Sequence, residues 1–451
     1  MYEKYLKIIL VIVMTRVIFH IDVNNAFLSW TAVKLLKEGY NIDIRTIPSV
    51  IGGDESKRHG IVLAKSPVAK KYGVVTAETL YMARKKCPGL KIFPPDMTYY
   101  RQTSKKLMEY ISSYSPDVEQ FSVDECFVDF TGTSYLYKDL IATAYKIKDE
   151  IYEKFGFTVN IGIGNNKLCA KMASDFEKPN RVHTLFDNEI EDKMFPLPIE
   201  DLFMVGKKTA VKLRSMGYNT IGDVARSDPK KLTLVFKSFG SVIYERANGI
   251  DLSPVDSNIA QNKSISVSWT MEKDTDDVDE IKRVLFRQAS EVGKSLRKER
   301  LYASVIAVTF KTFDFVSFSK QMTLDLPICS NDDIYENALK ILYKAWNFEK
   351  IRNIGIRLAN FTDYRISQRS LFDDNDEKVI DNEKIQTALD LIRDKYGVDI
   401  IKPASFIEHD KENVWILIMK MLINFYLDIY IMWMIFLLNI LILLILDIFY
   451  I

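Results

Sequence analysis

The sequence predicts an α+β fold in which helices and strands are interleaved around an acidic hairpin. Residues 17–23 form a largely apolar run that is typical of a buried strand and that contains Asp22. In residues 121–130, apolar side chains alternate on both sides of Asp124 and Glu125, which predicts two short strands that meet at this acidic pair. Helices and strands that are interleaved in this way around a hairpin favour α+β over a doubly wound sheet.

Length and composition are those of an ordinary soluble protein with several domains. The chain has 451 residues, of which 27 % are charged and 48 % hydrophobic. A net charge of +1 gives no overall sign of nucleic-acid binding, although basic residues occur in clusters. Such clusters are more often solvated than phosphate-binding, and only their arrangement in space separates the two. The clusters are Lys70 and Lys71, Arg84 to Lys86, Lys105 and Lys106, Lys207 and Lys208, and Arg297 and Lys298 with Arg300.

Cysteine usage and the N-terminus favour a cytoplasmic protein. The four cysteines have no Cys-x-x-Cys spacing, which argues against a zinc site or a disulfide framework and favours a reducing compartment. The apolar run of residues 8–13 is too short to span a membrane and lacks a small-residue cleavage site, which argues against a signal peptide. We expect the native chain to start at Met14, so that residues 1–13 are an extension.

Three acidic residues are the candidate metal ligands. Acidic side chains between apolar strands are costly to desolvate unless cations meet them. Asp22, Asp124 and Glu125, with the main-chain carbonyl of Val23 beside them, would suit divalent cations that prefer oxygen ligands. Such a site is the framework for two-metal phosphoryl transfer. For the hairpin alone, a turn that merely carries acidic residues fits the pattern about equally well.

Further elements follow from caps and periodicity. Residues 24–33 resemble a turn that enters a helix, and residues 61–64 are strand-like. Ser66 and Pro67 then predict the start of a short helix that ends at Gly73. Two amphipathic helices and a strand are predicted for residues 98–114, 135–155 and 158–163.

The second half of the chain predicts two smaller units. Residues 197–225 suit paired helices with a tight turn at residues 204–207, and the polar residues 251–262 indicate a linker. A β-α-β-β-α-β order then predicts a four-stranded sheet with both helices on one face. Its strands are residues 265–271, 303–310, 313–326 and 351–361, its helices are residues 278–298 and 333–346, and a further helix is predicted for residues 381–396.

Three motifs resemble those of Y-family DNA polymerases, the DNA polymerase IV and UmuC group. Residues 20–27 (HIDVNNAF) resemble the opening palm motif, and residues 122–125 (SVDE) resemble the second acidic motif. Residues 161–180, which contain IGIGNNKL and KPN, resemble the third. Three motifs in the family's order are more specific than any single one. The resemblance covers about residues 15–407.

The resemblance implies a right-handed polymerase with palm, fingers, thumb and little finger. The palm would comprise residues 14–27 and 96–185, the fingers residues 28–95, the thumb with a helix-hairpin-helix residues 186–252, the linker residues 253–262, the little finger residues 263–366, and a tail residues 367–412. This architecture implies template-directed addition of deoxynucleotides to a primer 3′ end in translesion synthesis and DNA repair. Asp22, Asp124, Glu125 and the carbonyl of Val23 would then hold two Mg²⁺ ions.

The resemblance also implies residues that contact the incoming deoxynucleoside triphosphate. Lys178 and Lys70 would neutralise its phosphates, and Phe27 stands at the family's steric gate, an aromatic residue that leaves no room for a ribose 2′-hydroxyl. Without the motif around it, Phe27 would be interpreted as a core aromatic residue. Many relatives have a tyrosine and an arginine where this chain has Pro67 and Lys70. A lysine meets a phosphate as a point charge without the bidentate fork of arginine.

The resemblance further implies two macromolecular partners, primer-template DNA and the bacterial sliding clamp. The enzyme is expected to be a monomer and not to bind membranes. The turn amides at Val205, Gly206 and Lys207 would hold a DNA phosphate, although Met204 replaces the usual first glycine. An ordinary helical hairpin is the alternative for this segment. Gln368, Leu371 and Phe372 resemble the clamp-binding peptide, which places a few apolar side chains in a pocket.

Two other functions are considered for the chain, and its C-terminal tail differs in composition from the rest. Residues 52–55 (GGDE) imitate the signature of palm-fold diguanylate cyclases, and a non-catalytic DNA- and clamp-binding factor would keep residues 368–372 but lose the three acids. In the hydrophobic tail of residues 413–451, residues 431–449 are long enough to span a bilayer, but Asp447 is costly there. We favour extraneous sequence over a membrane anchor for this tail.

Overall fold

The computed structural model describes residues 16–54, 60–258, 262–363, 375–397 and 400–401. The chain divides into two compact units, Met1–Ala260 and Gln261–Ile451, and this division falls within the predicted linker. No helix of the described residues is long and apolar enough to cross a membrane. The N-terminal extension, the clamp-binding peptide and the hydrophobic tail lie outside the described residues.

The described residues form mixed strands and helices, which confirms the predicted α+β class. The strands are β1 (Ile18–Val23), β2 (Ser49–Gly52), β3 (Val62–Lys65), β4 (Lys91–Phe93), β5 (Val118–Gln120), β6 (Glu125–Asp129), β7 (Val159–Gly164), β8 (Val182–Leu185), β9 (Ser264–Thr275), β10 (Tyr302–Thr312), β11 (Ser317–Ile328) and β12 (Ile351–Thr362). The helices of the first unit are α1 (Ala26–Lys37), α2 (Pro67–Lys71), α3 (Leu80–Lys86), α4 (Met97–Ile111), α5 (Leu140–Phe155), α6 (Lys167–Asp175), α7 (Lys207–Ser215), α8 (Ile221–Ala225), α9 (Pro229–Phe236) and α10 (Ser238–Ala247). Those of the second unit are α11 (Val278–Glu299), α12 (Asn331–Ala345) and α13 (Asn375–Tyr396).

The first unit is organised around a five-stranded sheet in the order β5-β6-β1-β7-β8. All six residues of β1 are buried, as the apolar run predicts for a central strand. Strand β1 pairs antiparallel with both β6 and β7. The acidic hairpin is present, but its first strand ends at Gln120, so the prediction of strand at residues 121–123 is wrong. The Ser122 hydroxyl accepts the N–H groups of Asp124 and Glu125 at 3.2 and 3.0 Å, which turns the chain here.

Helices cover both faces of this sheet because β1 alternates its side chains between them. Phe19 and Ile21 pack in a core with apolar residues of α1, α4 and α5. Ile18 packs instead against Phe127 and Ala170, the latter from α6. The predicted helices at residues 98–114 and 135–155 are therefore confirmed, with shorter bounds, and carboxylates accept backbone N–H groups at their N-termini.

A second, three-stranded sheet in the order β3-β2-β4 carries α2 and α3. The predicted start of α2 is confirmed, since the Ser66 hydroxyl accepts the Ala69 N–H at 3.0 Å and Pro67 occupies the first turn. Gly73 follows the helix with a φ of 78°, in the left-handed region that glycine adopts without strain. Strand β2 ends at Gly52, so the first glycine of the GGDE sequence belongs to a strand end.

The segment predicted to form paired helices is only partly helical. In place of a first α-helix, Ile199–Asp201 form a 3₁₀ turn, and the chain then extends into α7. Met204 adopts a φ of 77° at the turn, in the left-handed region that favours glycine. The turn at residues 204–207 is therefore present, and the helix before it is one short 3₁₀ turn.

The second unit confirms the predicted β-α-β-β-α-β order. Its sheet has the order β11-β10-β12-β9, and one core unites the strands with α11 and α12. Residues 313–316 form a turn, so that β11 begins later than predicted. Helix α13 begins before the predicted residue 381 and is attached to α11, since Arg297 binds Asp390 through two nitrogens at 2.8 and 2.9 Å.

Candidate active site

The strand register brings the predicted acidic residues to one end of the sheet. Asp22 of β1 lies directly opposite Glu125 of β6. The N–H of Val23 donates to the carbonyl of Asp124 at 3.1 Å, which holds the turn against the end of β1. All four predicted metal-site residues therefore meet at this edge, although Asp22 and Asp124 are 102 positions apart by their residue numbers.

Asp22 is a buried carboxylate with a lysine partner. It is 6 % exposed, and this burial raises the pKa of its carboxyl group, while the charge of Lys178 acts in the opposite direction. The Lys178 ammonium donates to Asp22 and also lies 2.7 Å from the Asp175 carboxylate. Lys178 therefore lies at the acidic edge of the sheet, with its charge directed at these two carboxylates.

Glu125 is held ionised by two donors. Burial raises the pKa of its carboxyl group, but the hydrogen bond from His20 and the charge and hydrogen bond of Lys171 outweigh burial and lower it to about 2. His20 Nε2 lies 3.2 Å and Lys171 Nζ 3.0 Å from Glu125 Oε2. Burial lowers the pKa of His20, so its ring is neutral near pH 7 and donates from Nε2.

Oxygen donors that suit a hard divalent cation dominate the site. The Asp124 carboxylate accepts the Ser122 hydroxyl at 2.6 Å. As they stand, no three acidic, histidine or cysteine side chains of the described residues surround one point. Lys178 and Lys171 form ion pairs with Asp22 and Glu125, so the carboxylates at this edge of the sheet already attract cations. The residues therefore fit Mg²⁺, which prefers carboxylate and carbonyl oxygens and is bound by few protein ligands.

Close packing of α6 on β7 places both lysines over the acids. A Cβ atom on Gly162 would lie 2.0 Å from the carbonyl oxygen of Ala170, and one on Gly164 would lie 2.7 Å from the Cβ of Cys169. Only glycine at these positions lets the helix approach the strand so closely. The sequence showed both glycines within the third motif, but not that they serve this contact.

A buried asparagine, which the sequence analysis missed, positions the segment that carries Lys178. Asn160 of β7 lies opposite Asp22 and is fully buried. Its amide nitrogen donates to the carbonyls of Ser174 and Glu177 at 3.0 and 2.7 Å, and its oxygen accepts from Asn24 at 3.0 Å. A polar residue in the middle of an apolar strand was the available signal, because buried amides need partners.

Phe27 is partly buried at the start of α1 and is supported by a second aromatic residue. Its ring stacks on that of Tyr100 with a centroid distance of 4.9 Å and an interplanar angle of 18°. The Tyr100 hydroxyl is 2.6 Å from that of Thr31, which fixes the ring beneath Phe27. Sequence analysis identified Phe27 but not Tyr100, which lies on α4.

The remaining predicted contacts are placed on other elements of the first unit. Lys70 is exposed near the end of α2. Val205 is buried in the core around α7, Gly206 precedes the first turn of that helix, and Lys207 begins it. Gln368, Leu371 and Phe372 lie outside the described residues.

Comparison with protein families gives two matches along the chain. Residues 21–175 match the impB/mucB/samB family, and residues 262–371 match the C-terminal domain of that family. The first match contains the whole acidic edge of the sheet and all of α6.

Curated relatives match most of the chain. A DNA polymerase IV of Clostridium acetobutylicum is 43% identical over 399 residues, which cover 88% of this chain and 100% of the relative. A DNA polymerase IV of Clostridium kluyveri is 36% identical over 88% of this chain and 100% of the relative. DNA polymerase IV 1 of Bacillus subtilis is 31% identical over 88% of this chain and 95% of the relative.

A solved structure shares the fold. The chain of a Y-family DNA polymerase chimera matches with a TM-score of 0.69 at 23% identity, over 77% of this chain and 100% of the chimera.

Proposed function

This chain belongs to the impB/mucB/samB family of Y-family DNA polymerases, which includes DNA polymerase IV, and from this membership we propose how its residues carry out the reaction. It is a DNA-directed DNA polymerase of translesion synthesis, acts on DNA and nucleotides, and depends on a divalent metal. This identity sets aside both the cyclase and the non-catalytic binding factor. The observation that supports this function best is the strand register, which places Asp22 opposite Glu125. The Val23 N–H donates to the carbonyl of Asp124 and so holds Asp124 beside them.

Asp22, Asp124, Glu125 and the carbonyl of Val23 hold two Mg²⁺ ions in this proposal. When bound, the ions lower the pKa of the primer 3′-hydroxyl and stabilise negative charge on the transferred α-phosphate. Glu125 is prepared for this role because its low pKa keeps it ionised. Asp22 is buried beside Lys178, which now compensates the negative charge of its carboxylate. A bound cation would compensate the same carboxylate charge.

Lys178 and Lys70 provide positive charge for the triphosphate. Lys178 lies between two carboxylates, Asp22 and Asp175, and its ammonium can turn from them to a phosphate. Lys70 is exposed near the end of the short helix α2. Its ammonium group can approach phosphate oxygens as a point charge, without the bidentate geometry of an arginine. The two lysines come from different regions of the chain and would approach the triphosphate from different elements.

Phe27 discriminates against the ribose 2′-hydroxyl. Its ring is held by stacking on Tyr100, whose hydroxyl is in turn bonded to Thr31 of the same helix as Phe27. To exclude the 2′-hydroxyl, the Phe27 ring must stay in place when a ribonucleotide presses on it. The stacked and hydrogen-bonded Tyr100 ring keeps it there. Sugar selection then depends on a pair of rings.

The thumb turn and the clamp peptide complete the proposed interactions of a monomeric, cytoplasmic enzyme. The Val205 N–H already donates to the carbonyl of Leu202 at 2.9 Å, so the amides of Gly206 and Lys207 are the ones proposed to attract a DNA phosphate. They lie at the start of α7, where N–H groups hold a phosphate without reading sequence. Residues 368–372 bind the bacterial sliding clamp through their apolar side chains.

Replacement of Asp124 by asparagine tests the proposed metal site. Asp124→Asn is expected to reduce primer extension with Mg²⁺ by at least roughly 1,000-fold, since loss of a metal ligand costs several kcal/mol of transition-state stabilisation. DNA affinity, measured by fluorescence anisotropy, should stay within about twofold because the phosphate contacts lie elsewhere. The matched control is Asp129→Asn at the other end of β6, which should extend primers normally. Extension by Asp124→Asn within about tenfold of the unaltered protein would contradict the assignment.

A further inference from the structure

The two oxygens of the Glu125 carboxylate have different surroundings. Oε2 receives both His20 Nε2, at 3.2 Å, and Lys171 Nζ, at 3.0 Å. Among the described residues, no hydrogen bond reaches Oε1. One oxygen is therefore committed to the protein, and the other is available to a ligand.

His20 is fixed in place from its other side. It is fully buried, its Nδ1 lies 2.8 Å from the hydroxyl of Ser174, and its ring packs against Phe127 with a centroid distance of 4.7 Å. A carboxylate only accepts hydrogen bonds, so Nε2 carries the hydrogen that faces Glu125, while Nδ1 on the other side of the ring is bonded to the Ser174 hydroxyl. Ser174 thus holds the ring from the side opposite Glu125.

Ser174 and Lys171 belong to the same turn of α6. The Ser174 hydroxyl lies 2.8 Å from the carbonyl of Lys171, whose side chain reaches Glu125. His20, Ser174, Lys171 and Glu125 therefore form a closed group, which we call the Glu125 network. It joins β1, β6 and α6, and His20 pairs with Gly162, the position at which α6 approaches the sheet most closely.

We propose that His20, oriented by Ser174, is a positioning residue that together with Lys171 fixes Oε2 of Glu125 and leaves Oε1 as the oxygen for a divalent cation. This inference rests on the proposed metal site. A glutamate side chain is long and flexible, and a free one loses rotamer freedom when it binds a metal. A carboxylate already held by one oxygen has lost that freedom beforehand, and outer hydrogen bonds of this kind commonly change metal affinity by about 10- to 100-fold.

Direct measurement of Mn²⁺ binding tests the role of the Glu125 network without catalysis. The full chain is bound to primer-template DNA with a dideoxy-terminated primer and a matching deoxynucleotide, and free Mn²⁺ is followed by electron paramagnetic resonance. His20→Phe keeps a ring but removes both hydrogen bonds, and it should weaken Mn²⁺ binding by about tenfold or more. Ser174→Ala removes only the outer bond, so it should weaken binding in the same direction by a smaller factor. DNA affinity should not change in either variant.

The matched control is Ser115→Ala, which removes another buried serine hydroxyl, bonded to the carbonyl of Asp129 at the far end of β6. It should bind Mn²⁺ normally. If His20→Phe does not fold, Ser174→Ala decides the question. Mn²⁺ affinity equal to that of the unaltered protein in Ser174→Ala, with or without a lower Tm, would overturn the positioning role. If Asp124→Asn also binds Mn²⁺ normally, the metal site itself is wrong; if only Asp124→Asn loses binding, the metal site stands and the role of His20 fails.

Discussion

Single side chains at the acidic edge work through partners that are distant in sequence. Glu125 depends on His20 and Lys171, Asp22 on Lys178, and Phe27 on Tyr100. In each case the second residue fixes a geometry or a charge that the first residue alone does not have. Predictions at this scale therefore test pairs of residues.

Removal of the Phe27 ring should relax sugar selection. Phe27→Ala is expected to raise the ratio of ribonucleotide to deoxynucleotide incorporation by roughly 100-fold, because the clash with the 2′-hydroxyl is lost. Single-nucleotide extension with each substrate measures this ratio. Tyr100→Ala should give an intermediate ratio by loosening the support, whereas Tyr100→Phe keeps the stacked ring and should leave it nearly unchanged. An unaltered ratio in Phe27→Ala would place the gate at another residue.

At the scale of elements, the contact between β7 and α6 determines where the lysines lie. Gly162→Ala is expected to lower the free energy of unfolding by about 3 kcal/mol, since the new Cβ would lie 2.0 Å from the Ala170 carbonyl and 2.3 Å from the Ser174 nitrogen. Both are backbone atoms, so α6 has to move, and it takes Lys171 and the segment after the helix that contains Lys178 away from the acids. Urea denaturation and primer extension should both report the loss.

Gly132→Ala is the matched control for this prediction, because nothing lies within 4 Å of a Cβ built at Gly132. It should unfold and extend primers as the unaltered protein does. Normal stability of Gly162→Ala would show that α6 tolerates displacement from the sheet.

Lys207, which begins α7, should contribute one side-chain phosphate contact to DNA binding in addition to the amides of the turn. Lys207→Ala is expected to weaken binding equally on different sequences and to lower the slope of log affinity against log salt by about 1. Anisotropy titrations at several salt concentrations measure this slope. Lys231→Ala, on the exposed surface of α9, is the matched control and should not change it. A sequence-dependent loss would argue against a phosphate contact.

At the scale of the whole molecule, the net charge of +1 conceals local concentrations of charge. Lys171 and Lys178 are brought to the acids by folding of the first unit, whereas Lys207 begins a separate helix. A nearly neutral protein can therefore bind a polyanion, because short-range contacts depend on local charge and salt screens the distant ones.

The proposed recruitment to the sliding clamp is tested on the whole molecule. Replacement of Leu371 and Phe372 together by alanine should abolish the stimulation of primer extension by a clamp loaded on DNA, because the apolar anchors are lost. Extension without the clamp should not change, since the active site lies in the first unit. Ser370→Ala, at a variable position of the same peptide, is the control and should keep full stimulation. Stimulation that survives the double replacement would place the clamp contact elsewhere.

Local sequence patterns were sufficient to predict the elements and the chemistry that depend on near neighbours. The apolar run before Asp22, the Ser66 and Pro67 helix start, and the β-α-β-β-α-β order were all predicted, since periodicity and capping act over a few residues. The acids themselves were recognised from their motifs. Their assigned roles remain proposals.

Tertiary structure alone decided what these residues contact. The Ser122 hydroxyl ended the first hairpin strand early, and a 3₁₀ turn replaced the first helix of the predicted pair. Partners such as Ser174 for His20, 154 positions away, follow no local rule, because they meet only where α6 packs on β7. Side-chain contacts of this kind depend on how distant elements pack together, and local sequence patterns carry no record of that packing.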